Sequence, residues 1–264
     1  MDEIKSKDCL VCFLDILGYK ELMKKNESFE SIYDSLKYTI SFHNGELKKM
    51  ALPSEIKDVA DAMHVQVVSD SVLFILNLEK YHTTQSSKNH EFLCIRQFLS
   101  SVAAFWGDFS KKTNVFCRGG IARGGYYQYN IYNEKNQFIF GSAVSVASEL
   151  QEKADVPRIL IDEELFDYIK SLDGAKDVGK IIPEGADGYY LDIYHFYGES
   201  HKQHLKEDLK KLANGIKYQI RENKKERKIL NKYCWLQHYH NLKVQQLGMD
   251  KEEGCVLTDF TFII

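Results

Sequence analysis

Two aspartates stand where strand-like apolar runs end: Asp15 in FLDILGYK (13–20) and Asp70 in VVSDSVLF (67–74). Carboxylates at adjacent strand ends are the hard oxygen donors that magnesium or manganese requires, and such ions keep positions open for the oxygens of a triphosphate. The first segment adds the Ile16 carbonyl and Gly18, where the lack of a side chain lets backbone approach a phosphate. The second places the small Ser69 beside Asp70. Taken singly, either aspartate reads as a turn cap or a surface ion-pair partner; the two together point to metal ligation. Arg118, Arg123 and Arg158 are candidate bases for neutralising phosphate charge.

Other candidate chemistry is weaker. Cys9 and Cys12 form a CxxC, but no second ligand pair follows and the motif lies inside a strand-like run, so they read as core thiols, like the other four cysteines. His201 and His204, and His238 with His240, lie on a lysine-rich helical stretch, and the spacing of two in the latter pair does not put both rings on one helix face. Trp235, Leu236, Tyr239 and Leu242 read as a packing stripe. Gly119, Gly120, Gly124 and Gly125 suggest turns and close strand packing, since no helix start with Lys-Ser/Thr follows them.

The elements that must position these residues follow from periodicity. Residues 8–16 form a buried strand, and apolar residues from 28 to 48 recur at helical spacing. HVQVV (64–68) and SVLFIL (71–76) make a hairpin with Ser69 and Asp70 at its tip. A helix over 91–109, a second hairpin over 114–130, a small-residue helix after Gly141, a strand at 157–162, a helix at 163–172 and a last strand over 188–197 complete the pattern. The order predicts an α+β fold with a ferredoxin-like βαββαβ core, an antiparallel sheet with helices on one face. Residues 201–246 read as one long helix or a helical pair, and the apolar tail 254–264 as docking back on the protein. The expected division is a domain over 1–198 and a helical extension over 199–264.

A chain of 264 residues, 44% hydrophobic and 28% charged, has the composition of an ordinary globular protein. Its net charge of −3 excludes a global basic surface for nucleic acid or an anionic membrane, so a polyanionic ligand must be held locally. No apolar stretch reaches membrane-spanning length and the N-terminus carries no cleavage signature, so a cytoplasmic location is expected.

The motifs together resemble a known family. FLDILGY is similar to the first metal motif of class III nucleotidyl cyclases and VVSDSVLF to the second, with Ser69 in place of a glycine. CRGGIARGGYY and FGSAVSVASELQEKADVPRILID resemble the strand and helix motifs that follow, so the resemblance runs in order over about residues 8–198. It implies that Asp15, Asp70 and the Ile16 carbonyl hold two Mn2+ or Mg2+ ions, that both aspartates are catalytic, and that Phe13, Leu17, Gly18, Tyr19, Gln66, Arg118 and Phe138 contact the nucleotide. Departures accompany it. The helix positions that carry asparagine and arginine in the family are Ser145 and Glu149, and the purine-reading positions are Gln66 and Phe138. With KYCWLQHYHNL (232–242), these departures resemble the pyrimidine cyclases of Pycsar antiphage systems. That implies a head-to-tail homodimer converting UTP to cyclic UMP and pyrophosphate, the product being sensed by a separate effector. The alternatives are a CTP-specific enzyme and a catalytically silent nucleotide sensor.

Overall fold

A computed structural model describes residues 6–20, 22, 29–52, 54–79, 81, 88–131, 136–198 and 202–257. Its main sheet has β1 (Lys7–Ile16) at the centre, β3 (Ser71–Asn77) and β2 (Met63–Val68) on one side, and β4 (Cys117–Ile131) on the other. All four pair antiparallel. β5 (Asn136–Phe140) joins the far end of β4, and β6 (Ile159–Ile161) runs parallel to its beginning. Helices α1 (Phe29–Ser41) and α2 (Ser54–Ala62) connect β1 to β2, and α3 (Lys88–Thr113) connects β3 to β4. The spatial order β2-β3-β1-β4 is that of a ferredoxin-like βαββαβ core, as the sequence predicts.

β1 is a continuous apolar run because both of its faces are buried. Leu10, Cys12, Leu14 and Ile16 enter the main core with α3, whereas Cys9 and Val11 enter a second cluster with Ala143 and Ala147 of α4 (Ser142–Lys153). The helices therefore cover two faces, not one as expected. The small residues of α4 let it lie close to the sheet. All six cysteines are free thiols, Cys9 and Cys12 on opposite faces of β1, and burial pushes the Cys9 thiol up to about 12.

Four further expectations need correction. Residues 117–131 form one long strand, with no turn at its glycines. A Cβ on Gly120 would lie 2.3 Å from the Ala147 carbonyl oxygen, and one on Gly119 would lie 2.7 Å from that of Phe13, so these glycines serve close packing of α4 and β1. The helix expected to run to residue 48 gives way at Phe42–Glu46 to a π-helical turn, and α2 follows it unforeseen. The aromatic run at 188–197 is strand only at β8 (Gly188–Tyr189), which pairs with β7 (Glu184–Gly185). Asp192 then accepts a hydrogen bond from the Tyr194 amide at 3.1 Å and starts a short helix, Ile193–Tyr197, preceded in the chain by α5 (Glu163–Lys170). The fourth concerns Leu242, which is exposed and does not belong to the packing stripe; Lys243 and Val244 are buried beside it.

The C-terminal region is a helical pair, Lys202–Glu222 and Arg227–Gln246. Leu209, Leu212, Ile216, Tyr233 and Leu236 share the main core with the sheet. A buried polar network fixes the second of these helices. Lys243 and the Tyr239 hydroxyl both donate to Asp192, at 2.5 and 2.8 Å. His240 meets the Tyr194 hydroxyl at 2.8 Å through Nδ1 and the Cys255 carbonyl at 2.8 Å through Nε2, and burial lowers its pKa to about 4. Asn241 exchanges two hydrogen bonds with the Leu257 backbone, both at 2.9 Å, which docks the start of the tail. His201 and residues 258–264 lie outside the described residues.

Gly120→Ala forces a methyl group into α4 backbone and should lower unfolding free energy by about 1–3 kcal/mol in a denaturant titration. Gly179→Ala, where nothing lies within 4 Å of the added Cβ, is expected to be neutral or stabilising by up to about 1 kcal/mol.

Candidate active site

The end of β1 and the tip of the β2–β3 hairpin are tied by a backbone hydrogen bond from Ile16 N to the Asp70 carbonyl, 3.0 Å long. The hairpin turns on Ser69, whose φ of +58° is left-handed. A glycine would adopt that conformation without strain. Gly18, at φ +74°, turns the chain away just past β1 and its missing Cβ faces open space. Leu17 is held by its amide on the Phe116 carbonyl at 3.0 Å, and Tyr19 packs at the margin of the main core.

Strand register aligns the candidate residues in two rows on the face that α4 covers. Val68, Ser71, Asp15 and Arg118 are cross-strand neighbours in sequence from β2 to β4. Two residues behind them, Gln66, Leu73, Phe13 and Gly120 form the next row. Asp15, Phe13, Gln66 and Arg118 are thus brought to one face, with Asp70 beside them at the hairpin tip.

Arg118 Nε donates to Asp15 Oδ2 at 3.0 Å, in a pair whose side chains are 23% and 21% exposed. The guanidinium also reaches the Ala154 carbonyl at 3.4 Å, and the Gln151 amide oxygen, turned toward it, accepts from Nε and Nη2 at 2.9 and 3.0 Å. Burial raises the Asp15 pKa above the ordinary carboxylate value, the Arg118 hydrogen bond and charge pull it down, Asp70 pushes it up, and Lys232 pulls it down. Asp15 and Asp70 are therefore close enough to repel, with one guanidinium and one ammonium working against that repulsion.

Lys232, on the helix Arg227–Gln246, was not foreseen as a site residue. Its ammonium lies 3.0 Å from Asp155, the residue after Ala154, so two cations flank Asp15 on the same end of the sheet. The only sequence signal was its place in KYCWLQHYHNL; nothing local to a helix announces which strand end it will face.

The remaining expected residues are placed elsewhere. Arg123 is five residues along β4 from Arg118, roughly 17 Å at about 3.4 Å per residue. There it chelates Asp8 at 2.6–3.1 Å and stacks 3.6 Å above the Tyr168 ring. Arg158 pairs with Asp187 and lies under Trp235, 5.6 Å from its centroid. Ser145 donates to Glu149 at 3.2 Å on the exposed side of α4. Phe138 pairs with Tyr129, eleven residues from Arg118 on β4, so one chain does not bring it to Asp15.

Among the described residues no group of three His, Cys, Asp or Glu side chains could hold a metal ion. The set at the strand ends is two carboxylates and the Ile16 carbonyl, all hard oxygens, and a divalent cation would offset both the burial that chiefly raises the Asp15 pKa and the smaller repulsion from Asp70. These residues fit magnesium or manganese. No helix among the described residues is long and apolar enough to cross a membrane.

The class of solved structure that this chain resembles is the nucleotidyl cyclase domain. The adenylyl cyclase CyaB from P. aeruginosa is 22% identical, with 64% of this chain and 83% of that one covered at a TM-score of 0.44. The guanylate cyclase domain of RhGC from Catenaria anguillulae, solved with GTP, is 12% identical over 63% and 85% at 0.42. The monomeric guanylyl cyclase domain of the RhoGC fusion protein from Blastocladiella emersonii is 15% identical over 64% and 89% at 0.41. No family model and no curated protein matches the chain.

The electrostatics give a direct test. A carboxyl whose folded pKa is raised loses stability as pH climbs from the unfolded value through the folded one, because the native state must give up a proton it holds better. Asp70→Asn removes one cause of that rise, so the metal-free variant should melt about 1–4 °C higher than wild type at pH 7, with the gain shrinking as pH falls through the raised Asp15 pKa. In the same scans Mn2+ should stabilise wild type and not the variant.

Proposed function

We propose that this chain is a class III nucleotidyl cyclase acting on a pyrimidine triphosphate, with UTP converted to 3′,5′-cyclic UMP and pyrophosphate. The observation that carries the reading is the Asp15–Asp70 pair, held at adjacent strand ends with Arg118 and Lys232 beside it. Two Mn2+ or Mg2+ ions on Asp15, Asp70 and the Ile16 carbonyl would supply charge neutralisation and lower the pKa of the ribose 3′-hydroxyl. The chain's own groups orient the substrate. Gly18 leaves room for phosphate against the backbone, with Leu17 and Tyr19 on either side of it, and Arg118 and Lys232 face the negative charge that builds on the leaving pyrophosphate. The 3′-oxygen attacks the α-phosphorus in line, the bond to the bridging oxygen of the β-phosphate breaks, and the hydroxyl proton passes to water.

Base choice rests on Gln66, a neutral amide in the row directly behind Asp15, where a purine cyclase would carry a charged reader. Phe138 joins such a site only from a second copy, which supports a head-to-tail homodimer with each active site shared. The product would signal to a separate effector, and CTP is the next substrate to consider. The exposed Ser145–Glu149 hydrogen bond, on the helix where the family carries Asn and Arg, favours a second reading, a nucleotide sensor without turnover.

Incubation of the purified protein with each of UTP, CTP, ATP and GTP plus Mn2+, followed by mass identification of products, should give cyclic UMP from UTP and little from the purines. Asp15→Ala and Asp70→Ala are expected to reduce this at least about a thousandfold with the fold intact by circular dichroism. Metal-dependent UTP binding without pyrophosphate release would favour the sensor, and the absence of any metal-dependent triphosphate binding would sink both. Lys232→Gln should raise KM for UTP about tenfold, the loss of one charge-assisted contact, while Lys228→Gln on the same helix leaves KM unchanged.

A further inference from the structure

The two cations beside Asp15 come from distant parts of the chain, Arg118 from β4 and Lys232 from the helix Arg227–Gln246, yet one short segment holds both. That segment is residues 151–155, the last turn of α4 and its exit. Arg118 gives Nε and Nη2 to the Gln151 amide oxygen at 2.9 and 3.0 Å and Nη1 to the Ala154 carbonyl at 3.4 Å, while the Lys232 ammonium meets Asp155 at 3.0 Å. A helix C-terminus suits cations, because its last carbonyls have no partner within the helix and carry partial negative charge. Gln151 and Ala154 are buried, so they act through the side chain they hold and not on a ligand directly.

The segment is also fixed to the strand that carries Arg118. Just beyond it in the chain, the Arg158 carbonyl accepts from Gly119 N at 2.9 Å. On the helix side, a Cβ on Gly120 would lie 2.5 Å from Leu150 Cβ and 3.0 Å from Gln151 N, so α4 touches the β4 backbone where it carries Gln151. The two residues that follow Arg118 therefore grip the segment at both ends. Anchored in this way, the Arg118 and Lys232 side chains remain 23% and 22% exposed, which leaves each of them able to meet a ligand.

We propose that residues 151–155 form a common mount for the two cations, with Gln151 and Asp155 as positioning residues that aim Arg118 and Lys232 at the phosphates of a triphosphate. The proposal rests on the reading of the Asp15–Asp70 pair as a triphosphate site. It goes beyond that reading in making the two cations one unit: loss of either anchor weakens phosphate binding, although neither anchor touches phosphate. A packing role for Gln151 would cost stability alone, and an ordinary surface ion pair at Asp155 would contribute almost nothing.

The test is calorimetric titration of the full-length protein with inorganic tripolyphosphate in the presence of Mn2+, a probe that carries no base. Gln151→Met and Asp155→Ala should each weaken binding about tenfold, the effect of misplacing one charge-assisted contact. Gln151→Glu and Asp155→Glu retain an oxygen acceptor at each place and should hold affinity within about threefold of wild type. Glu152→Gln, an exposed change in the same turn, should leave it unaltered. Lys232→Gln should cost about tenfold alone but under about threefold in the Asp155→Ala background, where the lysine is already misaimed. The Asp155 side chain is 84% exposed, so its variants test the proposal even where a change at buried Gln151 disturbs folding. Unchanged affinity in Asp155→Ala, a loss that glutamate at the same position does not restore, or an equal effect of Lys232→Gln in both backgrounds would each overturn the mount and leave the triphosphate reading standing. Absence of Mn2+-dependent tripolyphosphate binding by the wild type would sink that reading, and the mount with it.

Discussion

Two like charges held side by side at the ends of adjacent strands set the terms for this fold. Partial burial makes ionising Asp15 hard, and repulsion from Asp70 adds to it. The arrangement persists because backbone holds it: β1 is gripped on both faces, and Ile16 N is bonded to the Asp70 carbonyl, so the hairpin tip cannot swing away without breaking the end of the sheet. Arg118 reaches Asp15 because β4 lies directly alongside β1. α4 supplies the Gln151 and Ala154 acceptors that keep the guanidinium there, and it sits close enough to do so only because Gly120 has no side chain.

The C-terminal helices answer to the same constraint from outside the core topology. Asp192, Lys243, Tyr239, Tyr194 and His240 form a buried network whose main consequence is placement, since a buried ion pair contributes little net stability over an apolar alternative. The network leaves the helix Arg227–Gln246 one docking register, and that register puts Lys232 at Asp155 and within electrostatic reach of Asp15. The distinctive residues of KYCWLQHYHNL divide accordingly: Tyr239, His240 and Asn241 fix the helix and tail, and Lys232 faces the site.

What could be read in the sequence was what depends on local pattern. A strand buried on both faces shows as an unbroken apolar run, and a two-residue turn between alternating strands shows as Ser69-Asp70, so the aspartate pair and the βαββαβ order were both legible. Signals with two physical meanings were misread. Of the two roles expected of the glycines, turns and close packing, β4 shows the second at Gly119 and Gly120 and not the first; alternating aromatics mark strands, but at 188–197 Asp192 caps a helix instead. The second covered face, the π-helical turn and the position of Lys232 have no local signature, because each depends on which element packs against which.

Under the proposed function, length along β4 separates the residues assigned to phosphate from the one assigned to the base. Asp15 and Arg118 meet at its beginning, while the register partner of Phe138 lies eleven residues on, in the ribbon that β4 forms with β5 beyond the edge of β1. Under the proposed function, with the triphosphate at the first place and Phe138 serving the base, the nucleotide would bridge two copies of the chain. Gln66, in contrast, lies two residues behind the aspartate row on the same face, so its amide answers to the local sheet and not to the partner. Selectivity under this reading has two physically separate sources, one fixed by strand register and one by assembly. A change at one can alter the preferred base without disturbing the carboxylates that the rest of the fold is arranged to hold.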